Sequence, residues 1–185
     1  MRLFVSVDVG GLAAEIAAVQ RPFADASGLR LTDPRQAHVT LKFLGDTRAG
    51  QLPDLREAIA AAVADSGISP FRTEVGGFGV FPGLEYLSVV WLGVREGSEQ
   101  LTALHERIES RTTAMGFNPE EHAFTPHVTL ARMDHADNKE RVQELVETRD
   151  PTAGALTVDA VCLTESTLTS DGPVYETVER FDLPR

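Results

Sequence analysis

The 185-residue chain has a single cysteine, Cys162, which excludes an intrachain disulfide framework and a zinc site built on cysteines. Lysine is almost missing: Lys42 and Lys139 are the only two among 17 basic residues. Against 28 acidic residues this leaves a net charge of −11. So few cations disfavour nonspecific binding along a nucleic-acid backbone, because that affinity comes from displaced counterions. No apolar run reaches the length of a membrane span, and the opening stretch Met1–Asp8 turns polar too early for a secretion signal. The expectation is a soluble, cytoplasmic monomer with no membrane partner. Phosphate-binding and dinucleotide-binding glycine fingerprints are absent too. Gly76-Gly77-Phe78-Gly79 follows a strand-like run but opens no helix, so it reads as a bulge or turn.

What the chain does have is a hydrophobic fraction of 42%, enough for a sizeable core. Arg2–Asp8, Gln36–Leu44, Phe71–Phe78, Tyr86–Leu92, Thr125–Arg132, Ala155–Thr164 and Val174–Leu183 read as strands. Helical spacing joins Leu12, Ile16, Val19 and Phe23, then Leu52, Leu55, Ile59 and Val63, then Leu101, Leu104, Ile108 and Met115. Asp137 and Glu140 are spaced like a capping box before Val142, Leu145 and Val146. The order strand, helix, strand, helix, strand fills residues 2 to about 78 and restarts near residue 86. Two similar α+β lobes are therefore expected. No linker separates them by composition, so residues 1–185 are expected to form one domain, interleaved around the strands at about 36–44 and 125–132.

The second strand of each half carries the same tetrapeptide, His38-Val39-Thr40-Leu41 and His127-Val128-Thr129-Leu130, 89 positions apart. Side chains two apart on a strand share a face. Each strand thus has an apolar face for the core and a His/Thr face. If a pseudo-two-fold axis relates the lobes, the two His/Thr faces meet across a cleft. Two imidazoles there can divide acid and base roles near neutrality, and two hydroxyls can hold the nonbridging oxygens of a phosphodiester. In-line displacement at phosphorus needs acid and base on opposite sides, and it needs no metal here. A single such tetrapeptide would be an ordinary strand. Two at equivalent places in a repeated order point to a site.

These paired motifs resemble the 2H phosphoesterase superfamily, and more closely the RNA 2′,3′-cyclic phosphodiesterases of the LigT/ThpR type, historically described as 2′-5′ RNA ligases. The resemblance extends over His38-Val39-Thr40-Leu41-Lys42-Phe43-Leu44-Gly45 and Thr125-Pro126-His127-Val128-Thr129-Leu130-Ala131-Arg132. Arg2-Leu3-Phe4-Val5 with Asp8, and Leu163, Ser166, Leu168, Gly172 and Tyr175, match the family's opening strand and C-terminal hairpin. It implies a bilobal, pseudo-two-fold α+β fold with antiparallel sheets lining a central cleft and helices outside. It implies metal-independent hydrolysis of an RNA-terminal 2′,3′-cyclic phosphate to a 2′-phosphate, with reversible 2′-5′ RNA ligation at the same site. His38 is then the proton donor, His127 the proton acceptor, and Thr40 and Thr129 the phosphate-oxygen donors. RNA ends or small cyclic nucleotides are the implied partners, with no cofactor. Another small diester, such as a 2′-5′ linkage or an ADP-ribose cyclic phosphate, and a noncatalytic RNA-end binder are the alternatives.

Arg132 stands where the family has a phosphate-contacting arginine, yet strict alternation points it away from His127. Reaching the site requires the strand to end or twist. Lys42 shares the parity of His38 and Thr40, which puts it either at the cleft edge or in solvent. Phe43, the counterpart of Arg132, has two readings: stacking on a base, or packing beside Leu41. His105 is expected at the boundary of a helix stripe, and His122 and His135 in solvated loops. Glu120-Glu121-His122 has metal-ligand residue types without a ligand spacing, and Cys162 is expected buried and inert.

Overall fold

A computed structural model describes residues Met1–Arg185. The strands are β1 (Arg2–Asp8), β2 (Leu29–Leu31), β3 (His38–Asp46), β4 (Phe71–Pro82), β5 (Leu87–Glu96), β6 (His127–Met133), β7 (Thr152–Val158), β8 (Ala160–Thr169) and β9 (Gly172–Asp182). The helices are α1 (Ala13–Gln20), α2 (Leu52–Ala64), α3 (Ser98–Ala114) and α4 (Lys139–Thr148). No helix is long and apolar enough to cross a membrane.

All nine strands join one antiparallel sheet in the order β7-β4-β5-β6-β3-β1-β8-β9, with β2 beside β6. The order reads alike from both ends. The motif strands β3 and β6 are central, the opening strands β1 and β5 flank them, and β8 and β4 come next. The two expected sheets are thus continuous, joined between β3 and β6 at Val39 and Val128 alone. Each half also gives its last strand away: β4 pairs with β5 and β7, and β8 with β1 and β9.

The odd positions of β1, Leu3, Val5 and Val7, face a single hydrophobic cluster that runs under both halves. On that side α2 and α3 pack together, with α3 against β3 and α2 against β9. Their buried stripes are Leu55, Ile59 and Val63, and Leu101, Leu104 and Ile108. Both follow the 3.6-residue period read in the sequence. The other two helices serve the far half, α1 against β7 and α4 against β4.

Several boundaries differ from expectation. The stretch Ala155–Thr164 is two strands, broken at Asp159, because β7 belongs to one end of the sheet and β8 lies near the other. One residue between them brings the two ends of the sheet to a common corner, so the sheet must curl. Arg180 donates to the Asp159 carboxylate at 2.8 Å at that corner. The capping box does not form. Helix α4 is preceded by Asn138 in the left-handed region, at φ 63°, a conformation that asparagine tolerates. Its side-chain oxygen instead accepts from Ser27 N and Oγ. β2 has no strong signal in the sequence, being three residues long.

The glycine run is a bulge, as expected, but the strand continues through it to Pro82. The register slips between Val75 and Phe78, and Gly77 has φ +81°. Gly79 lies opposite Trp91, and a Cβ there would stand 2.2 Å from indole ring carbons. Gly79→Ala is expected to lower stability by about 1–3 kcal/mol, the usual cost of overpacking. Urea denaturation would show it as a fall in midpoint, and an unchanged midpoint would mean that Trp91 does not pack across Gly79.

Candidate active site

The curl gives the sheet a concave face, and the polar side of β1 lies on it. Ser6 faces Thr40 across the β1–β3 ladder, and Asp8 faces His38. Each motif histidine is fixed the same way. His38 Nδ1 lies 2.9 Å from the Gln36 carbonyl, and His127 Nδ1 lies 2.7 Å from the Thr125 carbonyl. A carbonyl can only accept, so Nδ1 carries the proton in both rings and Nε2 is the nitrogen left for substrate. Neither Thr40 Oγ1 nor Thr129 Oγ1 has a protein hydrogen-bond partner, so both hydroxyls are free to donate.

Aromatic rings hold each imidazole. Phe4 and Tyr175 lie 5.0 and 5.2 Å from His38, with Tyr175 edge-on. Phe81 and Trp91 lie 4.9 and 5.6 Å from His127, with Phe81 edge-on. Gln36 ties the C-terminal hairpin into this arrangement, accepting from Tyr175 N at 3.0 Å and donating to the Pro173 carbonyl. Burial pushes the His38 pKa down, opposed by its bond to Gln36 and by Asp8. The charges of His127 and Arg132 press on His38 in the same direction as burial. Burial likewise lowers the His127 pKa, opposed by the bond to Thr125 and reinforced by Arg132. The two histidines and Arg132 therefore share one electrostatic neighbourhood. A lowered histidine pKa favours the neutral ring in the fold, so this part of the stability is lost as pH falls below the ordinary imidazole value of about 6.5.

Arg132 reaches the concave face through a device the sequence does not show. Between Trp91 and Val90 the register of β6 jumps from Thr129 to Ala131, leaving Leu130 as a one-residue bulge. Between Ser6 and Val5, β3 jumps from Thr40 to Lys42, leaving Leu41 as its counterpart. A bulge reverses the alternation beyond it. Arg132 and Phe43 thus turn to the side of the histidines, and Phe43 is 63% exposed. That excludes packing of Phe43 in the core beside Leu41.

Lys42 must be corrected. It lies neither at the cleft nor in solvent but is 1% exposed under α3. The same bulge turns it inward, where Nζ pairs with Glu109 Oε2 at 2.8 Å and donates to the Asn118 carbonyl. It is a buried ion-pair partner and not a substrate ligand. Three further expectations meet the structure as follows. His122 and His135 are exposed, His105 is buried rather than at a boundary, and Cys162 is half-buried. The thiol pKa of Cys162 is raised by burial and by Asp8, which keeps it protonated.

The two halves differ where it matters for a ligand. Next to His38 lies a pocket of about 140 Å³, lined by Phe4, Ser6, Asp8, Cys162, Thr164 and Tyr175 among others. In the other half, Trp91 and Gly79 take the places of Ser6 and Cys162, and the indole occupies that space. Phe4, Ser6 and Asp8 were readable from the period-2 pattern of β1. Phe81 and Trp91 were not, because their closeness to His127 depends on the β4–β5–β6 pairing.

A duplicated α+β fold whose central strands each present a His/Thr pair, with both Nε2 atoms free, defines a two-histidine phosphoesterase. Residues 10–169 match the family model described as the 2′-5′ RNA ligase superfamily, and the chain belongs to that family. An RNA 2′,3′-cyclic phosphodiesterase of Methanothermobacter thermautotrophicus is 33% identical, with 99% of each chain covered. A protein of the same name from Aquifex aeolicus is 36% identical over 82% of this chain and 80% of its own. A crystal structure from Thermus thermophilus superposes with TM-score 0.81 at 27% identity, covering 99% of this chain and 98% of the other. Escherichia coli LigT complexed with 3′-AMP shares the fold, with TM-score 0.79 at 23% identity, covering 100% of this chain and 98% of that one.

The Lys42–Glu109 pair generates a test. Glu109→Gln removes the anion from a buried ammonium and is expected to cost about 3 kcal/mol, the low end for a broken buried pair because Asn118 still accepts. Thermal unfolding checks it, and a variant as stable as the parent would place Lys42 in solvent.

Proposed function

We propose that the protein hydrolyses an RNA-terminal 2′,3′-cyclic phosphate to a 2′-phosphate by metal-independent acid–base catalysis. The observation that carries this reading is the matched pair of imidazoles, each with Nδ1 held by the carbonyl two residues earlier and Nε2 open. A water oxygen attacks phosphorus while His127 Nε2 takes its proton. The P–O3′ bond breaks in line, and protonated His38 gives its Nε2 proton to O3′. The products are a 2′-phosphomonoester and a free 3′-hydroxyl, and proton exchange with solvent restores both rings. Thr40 and Thr129 donate to the nonbridging oxygens, and Arg132 balances the charge that grows on them. The exposed ring of Phe43 stacks on the terminal base.

The asymmetry of the halves supports this direction. The nucleoside must lie on the side of the departing O3′, and room exists beside His38, not beside His127. The names of the relatives support the substrate class. With a net charge of −11 the chain has little to offer a long RNA backbone, so recognition falls on the terminal nucleotide or two. We place the protein in the cytoplasm as a monomeric single domain acting on RNA ends or small cyclic nucleotides.

Hydrolysis of 2′,3′-cyclic AMP, followed by phosphorus NMR in the presence of chelator, tests the proposal. The expected product is 2′-AMP, and His38→Ala and His127→Ala should each lose about 10²–10⁴-fold in turnover. A 3′-phosphate product would make O2′ the leaving group and exclude the assignment. Loss of activity in chelator with recovery on adding a divalent ion would exclude the metal-free route.

The pH profile is a second test. Each ring's pKa is lowered in the free enzyme, so the bell of kcat/KM should centre below the ordinary imidazole value of about 6.5. The bound anion favours imidazolium, so the kcat profile should lie at higher pH. A kcat/KM bell centred well above neutrality would contradict two buried histidines in these roles.

A further inference from the structure

A bulge leaves a carbonyl that the ladder does not serve, and a buried carbonyl needs a donor. Each motif strand receives a buried side-chain donor there, alone at Leu41 and beside Thr32 at Leu130. The carbonyl of Leu41 lies 2.6 Å from His105 Nδ1, which must carry the proton. The carbonyl of Leu130 accepts from Gln20 Nε2 at 3.0 Å, from Thr32 N at 2.9 Å and from Thr32 Oγ1 at 3.0 Å. Gln20 closes α1, the helix between β1 and β3, and His105 lies in α3, the helix between β5 and β6. Each helix therefore reaches across to the motif strand of the opposite half. Gln20 is 4% exposed and His105 7%, so neither meets solvent or substrate. His105 also stacks flat on Phe124, centroids 4.2 Å apart, three residues before His127.

We propose that Gln20 and His105 are a pair of positioning residues that hold the two bulges and thereby aim Arg132 and Phe43 at the bound phosphodiester. Neither touches substrate; each acts through the residue beyond its bulge. Without His105 the Leu41 carbonyl has no donor left. Without Gln20 the Leu130 carbonyl keeps only Thr32, whose own carbonyl and hydroxyl Gln20 Nε2 also holds. In each case the bulge is free to slip back to regular pairing. That slip would return Arg132, or Phe43, to the covered face. The activity arm of the test rests on the phosphodiesterase reading, and the titration arm does not.

The activity arm is a double-mutant cycle on 2′,3′-cyclic AMP. Gln20→Leu keeps the bulk and removes the donor. It should lower kcat/KM by up to about a hundredfold, as a misplaced group typically does. In an Arg132→Ala background the same change should cost less than about twofold, because the residue it aims is gone. His105→Phe, which keeps the stacking on Phe124, should couple to Phe43→Ala in the same way, and His105→Gln, which restores a donor, should recover part of the loss. Undiminished loss in the Arg132→Ala background would mean general destabilisation and would overturn the proposal, as would a Gln20→Leu enzyme with full activity.

The titration arm follows the His127 imidazole by NMR in the whole protein. Arg132 depresses its pKa. Gln20→Leu should therefore raise the midpoint as far as Arg132→Ala does, whatever the enzyme's substrate. Absence of turnover on any cyclic phosphate, with the midpoint raised, would fault the function and leave the positioning role standing. An unmoved midpoint would refute the role itself. Thr32→Val, which removes one of the other donors to the same carbonyl, serves if Gln20→Leu does not fold, with the same two outcomes.

Discussion

The junction between Val39 and Val128 is the point on which the rest of the structure depends. Both side chains are buried, and the strands that carry them part on either side of the pair. A longer ladder would have drawn β3 and β6 flush and made an ordinary sheet. A single linked pair instead keeps the two motif strands adjacent while letting each half follow its own curl. The flanking histidines and threonines then share one concave surface at positions set by backbone and not by loops. That suits acid–base chemistry at phosphorus, where the two groups must be rigid and opposed.

Duplication supplies the symmetric parts, and divergence supplies the direction. Both halves keep the histidine, the threonine, the carbonyl that holds Nδ1 and the bulge. They differ in what fills the space beside the ring. Small side chains at Ser6, Cys162 and Thr164 leave room on one side, and Trp91 across Gly79 closes the other. They differ also at the residue past the bulge, aromatic in one half and cationic in the other. A cleft with equal walls would have no preferred way round for a nucleotide. Here the two walls differ in size, in aromatic character and in charge.

Most of the architecture was legible because it follows local periods. The alternation of β1, the stripes of α2 and α3, and the paired tetrapeptides needed no knowledge of tertiary structure. What failed to show were the features decided by distant partners. Strict alternation alone sends Lys42 to the cleft and Arg132 away from it, and the bulges reverse both. The donors that cap those bulges come from 64 and 110 positions away, so no local window contains them. Asp159 breaks a run that is strand-like throughout, because closing the sheet, not propensity, sets the break. Asn138 displaced an acceptable capping box for the same kind of reason: its side chain is used by Ser27, 111 positions earlier.

The exchange of closing strands bears on how the chain reaches this structure. β1 ends at Asp8, but one of its two ladder partners, β8, begins only at residue 160. A nascent first half therefore carries an unpaired strand edge, with bare N–H and C=O groups, until β8 has emerged. Pairing across such separations is slow, since the chain must close long loops before the contacts reward it. The arrangement that closes the sheet thus ties folding of the first half to a strand from the second, and makes the edge of β1 the place where a chaperone would have most to protect.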